Sequence, residues 1–284
     1  MRRSIQIQTF VLLLLLLIVF GIWYAVWRED RRGMLTVSFL DVGQGDAIFI
    51  DAPSGRQILI DGGRDRSVLR QLARVMPWWD RTVDIVVATH PDLDHINGLI
   101  DVLARYRVGT IIHSSVEGDT ATFDTFNQAM ENEKAHEIVA MRGQVVDIGK
   151  GIFLEILFPD RLVSSVDTND GSIIARLVYR NTSFMLTGDA PSKIENYLVQ
   201  LDSDGLNSDV LKAGHHGSKT SSSELFLGFV NPEYAVYSRG CDNSYGHPHQ
   251  DIVARFARFE IPTLDTCEEG TITFVSDGQV VRGK

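Results

Sequence analysis

Asp84-Ile85-Val86-Val87-Ala88-Thr89-His90-Pro91-Asp92-Leu93-Asp94-His95 is the stretch on which the reading of this chain turns. Its first half is apolar, β-branched and bounded by polar residues, the pattern of a buried strand. Its second half places four potential metal ligands within six residues. Asn97-Gly98-Leu99-Ile100-Asp101-Val102-Leu103 then reads as the start of an amphipathic helix. The ligands are therefore expected on a strand-to-helix loop at a sheet edge, where rigid elements can position reactive groups. Imidazoles and carboxylates alternating at this spacing can clasp two divalent ions side by side, a common device for hydrolysing phosphate esters.

A solvated, capped loop would account for one such motif, but the same residue types recur downstream, each after an apolar strand. Ser183-Phe-Met-Leu-Thr-Gly-Asp189 ends in a carboxylate, and Asp209-Val-Leu-Lys-Ala-Gly-His215-His216-Gly217-Ser218 ends in two imidazoles. Ala235-Val-Tyr-Ser-Arg239 leads into Asn243-Ser-Tyr-Gly-His247-Pro248. The chain has only eight histidines, so this convergence on strand ends points to a metal site. His113 and His136 read as bystanders, one following a strand and the other ending a charged helix.

The rest of the pattern suits two sheet-forming halves interspersed with helices. Strands are expected at Leu35–Leu40, Ala47–Asp51, Gln57–Asp61, Ile152–Phe158, Ser172–Tyr179 and Ser183–Thr187, with a turn at Asn181-Thr182. Helices are expected near Ser67–Met76 and near Phe123–His136, the latter capped by Thr122. Ser221-Ser222-Ser223-Glu224 has the form of a capping box opening another.

The ordered set LDVGQGDA (Leu40 to Ala47), LIDGG (Leu59 to Gly63), THPDLDHINGL (Thr89 to Leu99), NDGSI (Asn169 to Ile173), LTGD (Leu186 to Asp189), LKAGHHGS (Leu211 to Ser218) and NSYGHP (Asn243 to Pro248) resembles the metallo-β-lactamase-like domain of ComEC-type DNA-uptake proteins. The similarity covers about residues 35 to 282. It implies an α/β (α+β) fold, an αββα four-layer sandwich with the metals at one edge of its two sheets. The resemblance also implies roles. His90 and Asp92 would hold a first ion, Asp94 and His95 a second, and Asp189 would bridge them. His247 would supply the last ligand to the second ion, leaving His215 or His216 as a further ligand or proton donor. Asp61 would orient the metal loop by hydrogen bonding from behind.

Two departures from the pattern matter. Asp92 stands where many relatives have His, and a carboxylate shifts preference from zinc toward manganese or another oxygen-loving ion. The usual mid-chain His ligand is missing near Asn169-Asp170-Gly171-Ser172, so the first ion would either bind weakly or be completed by Asp170 or substrate. Asn169, Ser172 and Ser218 are candidates for contacting substrate oxygens, although turn and cap roles suit them equally.

Phe10 to Trp27 is almost wholly apolar, with Trp23, Tyr24 and Trp27 toward its end and arginines on both flanks. At 1.5 Å per residue it can just cross a bilayer core of about 30 Å. The apolar run is long for a signal core and lacks a small-x-small cleavage pattern, which favours an uncleaved anchor over a signal peptide. The expected organisation is a membrane anchor and short linker over 1–33 and a hydrolase domain over 34–284. A short basic N-terminus ahead of a first span places that domain outside the cytoplasmic membrane, single-pass.

Cys241 and Cys267 are too few for a disulfide framework, and unpaired thiols are the expected state. A bridge bracing the GHP loop is the alternative in an oxidising compartment. The net charge of −10 opposes a polyanionic substrate. Lys212, Lys219 and Arg239 flank the His loops and could form a basic rim, so weak, salt-sensitive capture is expected.

The reading that follows is a membrane-anchored hydrolase with two divalent ions, zinc or manganese, acting on DNA or another phosphodiester. ComEC-type proteins join this domain to a polytopic channel, so a role in uptake would require a separate channel protein. A hydrolase of small esters, lactones, thioesters or β-lactams stays open, as does a non-catalytic assembly subunit. The oligomeric state is not legible.

Overall fold

The computed structural model describes residues 2–29, 33–164 and 166–284. Asp30, Arg31 and Arg32 of the expected linker lie outside the described residues. Helix α1 (Arg2–Glu29) contains the segment Gln6–Tyr24, long and apolar enough to cross a membrane.

The first half of the remaining chain runs β1 (Leu35–Phe39), β2 (Ile48–Asp51), β3 (Gln57–Ile60), α2 (Ser67–Val75), β4 (Thr82–Ala88), α3 (Leu93–Leu103), β5 (Arg107–His113), α4 (Ala121–Glu133) and β6 (His136–Val139). The second half runs β7 (Val145–Gly149), β8 (Ile152–Phe158), β9 (Ile174–Tyr179), β10 (Thr182–Leu186), α5 (Ser192–Asp202), β11 (Val210–Lys212), α6 (Glu224–Val230), β12 (Tyr234–Tyr237) and α7 (Gln250–Arg258). It closes with β13 (Thr263–Asp265), α8 (Thr266–Glu269), β14 (Ile272–Ser276) and β15 (Val281–Gly283).

Eight strands form one sheet in the order β15-β14-β1-β2-β3-β4-β5-β6, and seven form the other in the order β13-β12-β11-β10-β9-β8-β7. Alternation along the strands builds the layers, because successive side chains point to opposite faces. In β3, Ile58 and Ile60 join the core between the sheets, where Leu154, Leu177, Phe184 and Phe274 meet them. Leu59 turns outward to a second core under α2, α3 and α4. A third core packs Leu198, Phe226 and Phe256 of α5, α6 and α7 on the far face of the other sheet. The result is the expected four-layer αββα sandwich. Each fully buried Leu, Ile or Phe contributes about 1.5–3 kcal/mol relative to exposure.

β3 and β4 run parallel, as do β10, β11 and β12. Their C-terminal ends therefore share one edge, and they deliver Asp61, His90, Asp189, His215 and Ser238 to it.

Several local expectations change. Helix α3 starts at Leu93, not Asn97, so Asp94 and His95 sit in its first turn rather than on a loop. Thr120, not Thr122, caps α4 by accepting the Phe123 N–H at 3.2 Å, and His136 opens a strand rather than ending this helix. Ser172 follows a 3₁₀ turn (Thr168–Gly171), and Thr182 already belongs to β10. Ser223, not Ser221, caps α6 and accepts the Phe226 N–H. Cys241 and Cys267, expected as thiols, are joined in a disulfide with their Cα atoms 5.0 Å apart.

Candidate metal centre

At the shared sheet edge three buried imidazoles point their Nε2 atoms into one space. Each is oriented through its other nitrogen. His90 Nδ1 lies 3.0 Å from the Thr89 hydroxyl, His95 Nδ1 2.8 Å from Asp61 Oδ2, and His216 Nδ1 2.8 Å from the Ser238 carbonyl. Those acceptors select the Nδ1–H tautomer and leave each Nε2 with a bare lone pair. All three Nε2 atoms are buried and lack a hydrogen-bond partner. Buried polar atoms are rarely left so, and three together facing carboxylates are the donor set of a cation site.

The carboxylates complete it. Asp189 Oδ2 lies 3.3 Å from His95 Nε2, 3.2 Å from His216 Nε2 and 3.6 Å from His215 Nε2. Asp94 Oδ2 is 3.5 Å from His216 Nε2, and Asp92 Oδ2 is 3.6 Å from His90 Nε2. Of four overlapping groups of possible ligands among the described residues, two join residues of the His90–His95 run to the later strand ends. These are His90 with His95 and Asp189, and Asp94 with His95 and His216; the other two include Asp46. Residues of these groups fit divalent cations in type, convergence and burial.

Asp61 supports the edge from behind. It accepts the Thr89 N–H at 2.8 Å and the Thr89 hydroxyl at 2.7 Å while holding His95. The loop carrying it lies against α3, where the Gly62 N–H donates to the His95 carbonyl at 2.7 Å. A Cβ at Gly98 would come within 1.9 Å of the Gly62 carbonyl oxygen, so only glycine permits this approach. On the other side, His215 and His216 adopt left-handed backbone with φ of 48° and 56°. Such conformations are costly for non-glycine residues and recur at functional sites.

Charge is concentrated here. Burial works to lower the basicity of His95, yet the Asp189 and Asp61 carboxylates outweigh it and hold the imidazole well above the usual histidine range. His216 is likewise raised against its burial by Asp189 and Asp46. Burial would raise Asp189 and Asp94, but neighbouring imidazoles hold both below the ordinary carboxylate range. Imidazoles drawn toward their cationic forms by surrounding acids mark a place where positive charge is favoured. His215 differs, because burial lowers it and it remains partly open at the mouth.

Other residues fall elsewhere than the sequence suggested. His247 joins none of these ligand groups; its ring centroid is 6.5 Å from that of His216 and 5.6 Å from that of His215. The imidazole beside Asp94 and His95 is that of His216. Lys212 is 0% exposed and forms no rim. Its ammonium donates to the Gly188 carbonyl at 2.7 Å and meets Asp46 at 2.6 Å and Asp189 at 3.2 Å. Arg239 is engaged by Asp265 at 2.7 Å, which leaves Lys219 as the exposed basic residue of the expected rim.

Ser172 is buried, and its hydroxyl accepts the Asp189 N–H at 3.0 Å, so it fixes the backbone of Asp189 rather than facing solvent. Ser218 hydrogen-bonds the Thr220 hydroxyl at 2.9 Å within its own turn. Asp170 is paired with Lys193 at 2.5 Å rather than turned to the first ligand group. Asn169 has a buried side-chain oxygen without a hydrogen-bond partner. His113 bonds the adjacent Ser114 carbonyl, and His136 lies exposed at the start of β6.

Asp46 received no role from the sequence. It is buried, contacts His216 Nδ1 at 3.3 Å, and is held down to about 2 although burial opposes this, chiefly by Lys212. Glu195 is the other omission: it sits beneath the His loop, accepting the Ser222 and Ser223 N–H groups at 2.7 Å each. Gly214 and Gly217 make room for Ser221 and Pro248, since added Cβ atoms would meet them at 2.8 and 2.7 Å.

The profile of the Metallo-beta-lactamase superfamily matches residues 40–240. The chain is 31% identical over 242 residues to Competence protein ComA of Neisseria gonorrhoeae, covering 84% of this chain and 32% of that protein. It is 28% identical over 260 residues to ComE operon protein 3 of Bacillus subtilis, with coverages of 84% and 32%. Recombination protein 2 of Haemophilus influenzae is 30% identical over 251 residues, with coverages of 87% and 29%. The chain thus spans about a third of the length of these curated relatives. Among solved structures, CmlA, a diiron beta-hydroxylase from Streptomyces venezuelae, superposes with a TM-score of 0.53 at 11% identity, covering 81% of this chain and 52% of that one. Zn(2+)-bound PqqB from Methylobacterium extorquens gives 0.50 at 11% identity, with coverages of 82% and 97%. At such identities these two establish the fold alone.

Proposed function

Because the chain belongs to the metallo-β-lactamase superfamily, we propose that it is a membrane-anchored, metal-dependent phosphodiesterase, with DNA as its substrate. The observation that carries the reading is the trio of buried, unpartnered Nε2 atoms facing Asp94 and Asp189. His90, Asp92 and Asp189 would hold one divalent ion, and Asp94, His95, His216 and Asp189 the other. Asp92 gives the first set an extra hard oxygen donor, which favours manganese over zinc there.

When bound, the ions polarise a phosphoryl oxygen and lower the pKa of water toward neutrality. Asp189, fixed by the Ser172 hydroxyl at its N–H, orients the attacking water for in-line displacement. Lys212 offsets the charge of Asp46 and Asp189 and keeps both carboxylates in place. His216 is tied through Nδ1 to the Ser238 carbonyl and its Nε2 would be given to an ion, so His215, nearer the mouth, is left to pass a proton to the leaving oxygen. His247, with its ring 5.6 Å from that of His215 and stacked with exposed Tyr245 at 5.7 Å, would contact substrate. Asn169 offers its free side-chain oxygen at the neighbouring turn.

The competence relatives motivate DNA as the phosphodiester, and a separate channel protein would have to supply a pore for any role in uptake. The anchor and its short linker would occupy 1–33, with α1 as the span, and the hydrolase domain would occupy 34–284. The Cys241–Cys267 bridge supports an oxidising compartment, hence a domain outside the cytoplasmic membrane.

The test is hydrolysis of single- and double-stranded DNA by the full chain in detergent with manganese, zinc or magnesium, beside Asp94→Ala. Metal-dependent cleavage lost in the variant supports the reading. A folded, metal-loaded protein that cleaves no DNA removes the nuclease reading and directs attention to lactones and thioesters.

A further inference from the structure

Two adjacent indoles stand outside everything described so far. Trp78 is 78% exposed and Trp79 59%, and their rings pack edge to face on each other with centroids 5.5 Å apart. They lie in the connection from α2 into β4, at the end of β4 opposite His90.

Strand register locates that end relative to the N-terminal helix. Thr36 of β1 is opposite Asp51, Asp51 is opposite Gln57, and Ile58 is level with Ile85 of β4. The start of β1, the end of β2, the start of β3 and the start of β4 therefore share one edge. Three strand spacings of about 4.8 Å put β1 and β4 roughly 14 Å apart along it. Gly33 is tied to the same edge, because its carbonyl accepts the Tyr179 hydroxyl at 2.7 Å from the far end of β9. Four peptide steps join Gly33 to Glu29, the last residue of α1, a reach of at most about 14 Å. If α1 crosses a bilayer through Gln6–Tyr24, the edge bearing the indoles is the one held nearest the lipid.

Charge on this edge has the matching sign in a chain whose net charge is −10. Arg74 lies in the last turn of α2, Arg81 follows the indoles, Arg105 follows α3 and Arg107 opens β5; all four are exposed. The Arg107 N–H donates to the Arg81 carbonyl at 2.8 Å, which holds the two connections together. The neighbouring acids are engaged: Asp80 accepts from Gln57 and Thr82, and Asp84 accepts the Gln57 N–H. Indoles beside arginines suit the boundary between headgroups and acyl chains, where an amphipathic ring has one side apolar and one wet.

We propose that Trp78 and Trp79, flanked by Arg81 and Arg107, form a second membrane contact that seats the domain on an anionic lipid interface. This rests on α1 spanning the bilayer, not on the identity of the substrate. The contact turns the domain so that the metal edge faces away from the bilayer. β4 alone separates the two edges by about 23 Å over its seven residues. A polymer in solution could then reach the site without touching lipid.

The chain has four tryptophans, Trp23, Trp27, Trp78 and Trp79. The full chain carrying Trp23→Phe and Trp27→Phe is reconstituted into phosphatidylcholine vesicles with and without phosphatidylglycerol, each also prepared with brominated acyl chains. Flotation reports on α1, and emission reports on the indole pair alone. An indole seated about 5–10 Å into the interface loses roughly half or more of its emission to bromine, and more in the anionic vesicles. Protein that floats but shows solvent-like, unquenched emission overturns the proposal and leaves α1 as the sole anchor. Blue-shifted emission insensitive to bromine also overturns it, by showing the pair covered by a second copy of the chain. Protein that does not float refutes the spanning reading of α1 and the proposal with it, without bearing on hydrolysis.

Discussion

Replacing Lys212 with Met tests the electrostatic design of the site most directly. The side chain is fully buried, and its ammonium stands 2.6 Å from Asp46 and 3.2 Å from Asp189. Methionine keeps the length and apolar stem while removing the charge, leaving two buried carboxylates without their cation. Breaking a buried ion pair in this way costs about 3–5 kcal/mol. At roughly 2–4 °C per kcal/mol for a domain of this size, Tm in EDTA should fall by about 6–20 °C. Excess manganese should restore part of the loss, because a ligand at 100-fold its Kd stabilises the folded state by about 2.7 kcal/mol. The double variant Lys212→Met/Asp46→Asn should lose less than the two single losses combined, since it removes the stranded charge as well.

The pH dependence follows with a definite sign. Asp46 is lowered from 3.8 to about 2, so its contribution is present above about 4 and is lost as pH falls through about 2. That shift is worth about 2 kcal/mol, and the acid-side slope should flatten in Lys212→Met. The assay is thermal unfolding followed by circular dichroism, with and without metal, between pH 2 and pH 7. An unchanged Tm in EDTA, or a slope that persists in the variant, would falsify the role given to Lys212.

Three further outcomes are expected. His216→Ala should remove bound metal and lower hydrolysis by about 100-fold or more, whereas His247→Ala should keep its metal content; equal metal loss in both, by elemental analysis, would refute the grouping. Glu195 is raised by burial from 4.5 to about 7, so its contribution is complete below 4.5 and disappears as pH rises through 7. The change is about 3 kcal/mol at most, and Glu195→Gln should abolish it in chemical denaturation at pH 5 and pH 8. Cys267→Ser opens a loop whose ends are 26 residues apart in sequence. The expected loss is about 3 kcal/mol in denaturant unfolding under oxidising conditions, and equal stability with and without reductant would oppose it.

The strand over Gln57–Asp61 was legible in the sequence, as were the apolar runs ending in His90, Asp189 and His215. The opposite facing of Ile58 and Ile60 against Leu59 came from the packing of the layers. Local rules misplaced the start of α3 because Gly98 is a poor helix residue, and its packing against the Gly62 carbonyl is a long-range fact. The cysteines were misjudged for a similar reason. Their proximity depends on β12 lying beside β13, a pairing that spacing alone does not encode. Lys212 at the end of an apolar strand looks like a surface cation until Asp46, on a loop of the other sheet, closes over it.

Sequence by itself determined the strands that lead into the ligands, the kinds of ligand and the apolar segment at the N-terminus, because these depend on side-chain chemistry and on periods of two and 3.6 residues. Tertiary structure alone decided which imidazole joins Asp94, which charges neutralise one another and which edge carries Trp78 and Trp79. Coulomb energy and desolvation depend on separation and burial. Both are set only when the two sheets pack face to face and bring Asp46 to Lys212 from 166 residues away in the chain.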